Sequence, residues 1–221
     1  MSRTPSKPTP IYFGRTPSWN TLCRGREALS GCHGHGRGTG GDSGSTARFR
    51  RRQGLLLDQD RGCFPHVTRS NTGLRNVLAL ADELGLERLD VTYVTRAYLT
   101  RHGAGPLPRE RPEKPYPGIV DTTNVPNEHR STLRFAWLDL DLLGRAIHED
   151  LSDAAHPALT VNAGLAITCL DQLDGEAARY YRGGIQHRSS LETFVAAATE
   201  AVGLDRPLLG FGPSGELMPC G

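Results

Sequence analysis

The sequence predicts an α/β fold: a partial, largely parallel sheet with flanking helices, preceded by a disordered tail. Three observations predict it. From Gln53 onward, short apolar or β-branched runs alternate with stretches of helical periodicity, an order that leads to parallel strands joined by helices. The helical stretches carry start or stop signals. Composition also changes abruptly at Gln53, which divides the chain into a Gly/Arg-rich tail (1–52) and an organised region (53–221).

In the tail, Gly, Pro, Ser, Thr and Arg dominate, and the few apolar residues follow neither period 2 nor period 3.6. Such a segment buries too little apolar area to offset ordering costs of ~1–2 kcal/mol per residue. Gly36, Gly38 and Gly41 match GxGxxG, but no strand precedes them and no helix follows, as a dinucleotide site requires. Cys32, His33 and His35 lack a second ligand pair at zinc spacing. Arg48, Arg50, Arg51 and Arg52 read as a solvated basic run in preference to a nucleic-acid contact.

The organised region opens with Leu55-Leu56-Leu57, expected as a short strand running into Asp58 and Asp60. Leu74, Val77, Leu78, Ala81 and Leu84 recur at helical spacing before Gly85, with Asn71 as the expected cap. Residues 89–100 are β-branched and aromatic and predict a strand. Residues 103–117 are too rich in Gly and Pro for either regular element. Leu138, Leu142, Leu143, Ala146 and Ile147 predict a helix with Asp139 and Asp141 in its first turn, where the helix dipole favours negative charge. Residues 164–170 predict a buried strand ending at Asp171. Ser189 and Glu192 form a capping box for a last helix striped by Leu191, Phe194, Val195, Ala198 and Val202 and closed by Gly203. Residues 207–210 make a final strand.

The 221 residues carry a net charge of +2, which hides an asymmetry. The tail holds Lys7 and nine arginines against Glu27 and Asp42, and the remainder is net acidic. No run approaches the ~18 apolar residues of a membrane helix, and no apolar signal region opens the chain. A membrane protein, a coiled coil and a collagen are excluded, and a cytoplasmic location is expected. The five cysteines are odd in number and irregularly spaced, which excludes a disulfide framework. His66, His102 and His129 have no metal-site spacing, so no metal ligands are expected.

Five blocks, in order, resemble the adenylosuccinate synthetase family. They are Gln53-Gly54 with LLLDQDRGCFPHVTRSNT, TRAYLTRHGAGPLP (95–108), RFAWLD (134–139), TCLDQLDG (168–175) and Gly210-Phe211-Gly212-Pro213. The resemblance covers roughly 53–221 and corresponds to the C-terminal half of a full-length enzyme. It implies a ligase of purine biosynthesis that joins L-aspartate to IMP with GTP and Mg²⁺, through a 6-phosphoryl intermediate, and that forms a homodimer. It places Gln53, Thr68 and Arg134 at IMP. Ser131, Thr132 and Arg134 fall in an aspartate-binding loop within 124–134, and Arg101 and Gly103 in a loop near the nucleotide.

For GTP, the resemblance places Asp171 on the guanine N–H groups, with Cys169, Gly210 and Gly212 beside it. Asp171 also sits where open α/β sheets collect ligands, beyond the carboxyl end of a strand. Cys169 stands where the family has a lysine. A cysteine does not replace a cation over a purine face, which opens the choice between GTP and ATP. The phosphate loop, general base and general acid that the resemblance implies have no match here, so no catalytic residue is assigned. The expectation is a truncated ligase without turnover of its own. A purine-nucleotide-binding module, and a divergent phage-type enzyme acting on dGMP, are the alternatives. Uncovered apolar faces at Val77, Leu78, Leu142 and Leu143 would then favour association.

Overall fold

In the computed structural model, residues 9–13, 49–51, 53–120, 133–154, 159–173, 175, 177–205, 207–212 and 217–219 are described. Eleven strands and three helices occur among them, with short 3-10 turns at Leu55–Leu57 and Leu170–Gln172. The strands are β1 (Thr9–Phe13), β2 (Phe49–Arg51), β3 (Arg88–Arg96), β4 (Tyr98–Arg101), β5 (Glu110–Arg111), β6 (Arg134–Asp139), β7 (Thr160–Thr168), β8 (Ala177–Arg182), β9 (Ile185–Ser190), β10 (Leu208–Leu209) and β11 (Met218–Pro219). The helices are α1 (Arg75–Glu83), α2 (Leu140–Ser152) and α3 (Leu191–Val202).

Two sheets share the work. The first runs β11-β10-β7-β3-β1-β2 and is parallel throughout except at β10–β11. The second runs β4-β6-β8-β9, with β5 also on β6, and is mixed: only β6–β8 is parallel. The expected α/β architecture is therefore present, and its largely parallel character belongs to the first sheet. The expected strand over 89–100 is two strands. The buried Ala97 breaks the run, its N–H donating to the Thr168 carbonyl at 3.0 Å, and the chain passes there from one sheet to the other.

The tail needs a correction. Thr9–Phe13 and Phe49–Arg51 are strands, β1 lying parallel between β3 and β2. The free edge of β3 supplies the partner, and buried backbone groups take such pairing wherever it is offered. That partner lies some 80 positions away from β1, where no local periodicity reports it. The rest of 1–52 lies outside the described residues.

Local corrections follow the same pattern. Leu55–Leu57 forms a 3-10 turn. Asn71 does not cap α1: its Nδ2 donates to Asp60 at 2.8 Å, while the Leu74 N–H at the helix start is taken by Asp150. Leu138 lies within β6, and Asp139, the last residue of that strand, caps α2 by accepting from the Leu142 N–H at 3.1 Å. The cap of α3 is Ser190, one residue past the expected Ser189, and it accepts from the Thr193 N–H. The β8–β9 hairpin was not expected. Its turn is Gly183-Gly184, both at positive φ, the conformation of a tight two-residue hairpin loop.

α2 and α3 pack on each other so closely that a Cβ at Gly144 would lie 2.3 Å from the Ala201 carbonyl oxygen. Phe194, Val195 and Ala198 of α3 and Ile147 of α2 join Leu138, Ala178 and Tyr180 in the core. Val77 is buried, and Leu78 and Leu143 pack against the same core. Leu142 is half-buried. The apolar faces expected to be uncovered are thus largely used within the chain.

Candidate functional site

Two clusters form at the ends of β4. The first lies beyond the carboxyl end of β7. Cys169 takes a left-handed conformation (φ 61°) and turns the chain into the Leu170–Gln172 turn that carries the exposed Asp171. A non-glycine residue there costs of order 1–2 kcal/mol, so the turn is held from outside. The Gly210 N–H donates to the Ile167 carbonyl at 2.9 Å, and the Leu170 N–H donates to the Gly210 carbonyl at 3.2 Å. Tyr98 donates its hydroxyl to Gln172 Oε1 at 2.6 Å. Burial raises the Tyr98 pKa above its ordinary value, with Cys169 adding to the rise, so the phenol stays a donor. Cys169, Asp171 and Gly210 are brought together, and Gly212 follows two residues later, where nothing among the described residues stands within 4 Å of an added Cβ.

The second cluster gathers at the other end of β4, about 10 Å away for a three-residue strand step. Arg101 donates Nη2 to the His66 carbonyl at 2.9 Å and Nε to the Ala104 carbonyl at 3.1 Å. Thr68 lies in the same loop as His66, its N–H on the Leu57 carbonyl at 2.7 Å. Arg134 donates Nη1 to the carbonyls of Gly103 (2.9 Å) and Gly105 (2.8 Å). Its Nε and Nη2 grip the two carboxylate oxygens of Glu110, the first at 2.6 Å. That two-pronged bond holds Glu110 below the usual carboxylate range. Burial, with Arg134 beside it, pushes the Arg101 pKa down.

The structure thus brings Thr68, Arg101, Gly103 and Arg134 together. Gln53 is exposed at the start of the same segment, where the Gly54 carbonyl accepts from Thr72 Oγ1 at 3.1 Å. Ser131, Thr132 and Pro213 lie outside the described residues. Sequence reasoning missed Glu110, which no spacing marks as the partner of an arginine 24 positions later. Magnesium requires several oxygen ligands, and among the described residues no group of three or more His, Cys, Asp or Glu is placed to hold a metal.

The family model described as adenylosuccinate synthetase matches residues 43–177. The chain belongs to the adenylosuccinate synthetase family. Adenylosuccinate synthetases of Stenotrophomonas maltophilia and Xanthomonas campestris are each 36% identical over 140 residues, covering 60% of this chain and 29% of the relative. The chain therefore spans less than a third of the length of these curated relatives.

A fully ligated adenylosuccinate synthetase from Plasmodium falciparum aligns at TM-score 0.55 and 19% identity, over 77% of this chain and 49% of the other. This supports the fold of the family. A cyanophage succinoaminodeoxyadenylate synthetase bound to dGMP and dATP aligns at TM-score 0.43 and 16% identity, over 76% of this chain and 45% of the other. Among the described residues no helix is long and apolar enough to cross a membrane.

Proposed function

We propose that this region of the adenylosuccinate synthetase fold binds purine nucleotides in a ligase reaction joining L-aspartate to IMP at the expense of GTP. The first cluster receives the base of the nucleotide donor. Asp171 accepts two N–H groups from guanine, a charge-assisted pair worth roughly 1.5–3 kcal/mol, and Gly210 and Gly212 let backbone approach the ring. In the second cluster Gln53 and Thr68 receive IMP. Arg134 shapes the 103–105 loop beside them, with Ser131 and Thr132 assigned to L-aspartate. GTP would supply the phosphoryl group and Mg²⁺ would neutralise it. Binding is the part of this activity that the described residues support. Homodimerisation belongs to the same proposal.

The observation that carries the reading is the clamp of Gly210 between Ile167 and Leu170, which holds Gly210 against the turn that carries Asp171. Thermal melts with GTP, ATP, IMP and dGMP test it. A ligand present at about 100 times its Kd adds ~2.7 kcal/mol, and Asp171→Asn should remove the GTP shift while sparing the IMP shift. No shift with any of the four would overturn the reading. Aspartate- and IMP-dependent phosphate release from GTP checks turnover.

A further inference from the structure

We propose that Arg111, Arg179 and the Trp137 indole N–H form an oxyanion site on the second sheet that takes a phosphate group, separate from the two clusters above. Strand register builds it. Arg111 of β5 pairs with Phe135 of β6, Trp137 lies two residues further along the same face, and β8 pairs with β6 just beyond it, with Leu138 opposite Tyr180. Arg111 and Arg179 therefore flank one indole from two neighbouring strands, their guanidinium carbons 4.9 and 5.6 Å from its ring centroid. Tyr116 closes one side of the ring, with centroids 5.2 Å apart. Its hydroxyl accepts from the Arg179 N–H at 2.8 Å and donates to the Arg179 carbonyl at 3.2 Å, which pins β8 in place.

The charges on this face are not balanced. Among the described residues, neither Arg111 nor Arg179 forms an ion pair. Arg188 of β9 pairs with Arg179 and adds a third guanidinium. Asp139, the carboxylate on the same face of β6, is engaged by Arg109 Nε at 3.4 Å and by the start of α2. Two donors are also left over. Trp137 is 3% exposed, and among the described residues its Nε1 has no acceptor, nor does the buried Nε of Arg111 against the same ring. Buried donors are almost always paired. A planar guanidinium fork with an adjacent N–H suits the several acceptor oxygens of a phosphate.

The test follows the indole ¹H–¹⁵N resonance of Trp137 in the 221-residue chain, assigned by the loss of the other tryptophan signal in Trp19→Phe. Orthophosphate, tripolyphosphate and GTP are titrated at constant ionic strength against chloride. The expected result is a saturable shift with the phosphate-bearing ions and none with chloride. The first two ions report a bare phosphate group and the third a nucleotide's.

Arg111→Gln and Arg179→Gln should each weaken binding at least tenfold, and Arg179→Lys should fail to restore it although the charge is kept. Asp171→Asn should leave the tripolyphosphate shift unchanged, which separates this site from the proposed base site. If Arg111→Gln does not fold, the two Arg179 variants decide. An indole signal unmoved by every ion, or moved equally by chloride, overturns the proposal and leaves water as the partner of these donors.

Discussion

Arg61 donates Nη1 to Oδ1 of Asp150 at 2.9 Å across 89 positions of sequence. The carboxylate is fully buried; Oδ1 also receives the Leu74 N–H, and Oδ2 the Tyr93 hydroxyl, each at 2.9 Å. One carboxylate on α2 thus ties together the Thr68 loop, the start of α1 and β3. Arg61 and Arg75 extend the tie to Asp153. Burial and the Asp150 charge push the Tyr93 phenol far up, so it remains a donor at every working pH. Removing one partner of a buried pair costs ~3–5 kcal/mol, because the other is left uncompensated. Asp150→Ala should lose that much in urea unfolding. Tyr93→Phe should lose ~1–3 kcal/mol.

Gly73 belongs to the same junction. A Cβ there would lie 1.8 Å from Asp150 Oδ1, so Gly73→Ala forces the carboxylate away from its three donors. The loss should be comparable to that of Asp150→Ala. In the double variant the two costs should fall well short of their sum, since contacting residues are not additive. Equal and additive losses would show that Gly73 acts through something other than Asp150.

Much of this was legible in the sequence, and the boundary is physical. Periodicity found α1 and α3 and the run of β7, because an apolar stripe is a local property. The resemblance singled out Thr68, Arg101, Gly103 and Arg134 without saying that they meet, and it is the fold that brings them near one another. Neither could find Asp150, an acidic residue near a helix end that reads as solvated until Arg61, Leu74 and Tyr93 are placed around it. The pairing of β1 with β3 was hidden for the same reason. Leu55–Leu57 misled because three consecutive apolar residues carry no period at all.

Asp58 sets an acid limit. Burial would raise its carboxyl, but the N–H groups of Asp60 (2.9 Å) and Thr72 (2.6 Å), with Asn71 and Arg61, outweigh burial and hold it below its ordinary value. A pKa lower in the folded than in the unfolded chain gives stability that is present above the unfolded value near ~3.9 and lost as pH falls through the folded one. Urea midpoints should therefore drop below about pH 4, and Asp58→Asn should flatten part of that fall. Glu110 and Glu200, also lowered by their arginine partners, keep their share in the variant.

The Arg134–Glu110 grip predicts a loop effect. Glu110→Gln keeps the shape of the side chain but loses the charge, and Arg134→Lys loses the planar fork. Both should speed amide exchange through residues 101–105, where Gly103 and Gly105 lend their carbonyls to Arg134. Both should also weaken IMP binding several-fold while leaving the Asp171-dependent GTP shift intact. Faster exchange without any change in IMP binding would detach this loop from the proposed IMP site.

Two glycines separate close packing from chain entropy. Alanine in place of a helical glycine ordinarily gains about 1 kcal/mol. At Gly144 the new Cβ would stand 2.3 Å from the backbone oxygen of Ala201, which does not rotate away, so α3 must move off α2. Overpacking of this kind costs ~1–3 kcal/mol or more, and Gly144→Ala should destabilise despite its better propensity. Gly54 is the opposite case. It sits at φ −72°, ψ 151°, with nothing among the described residues within 4 Å of a Cβ. Gly54→Ala therefore keeps the folded backbone and restricts the unfolded one, for a gain of ~0.4–1 kcal/mol. Denaturant unfolding of the two variants should move the midpoint in opposite directions at unchanged slope. A gain at Gly144 would mean that α2 and α3 do not meet at this residue.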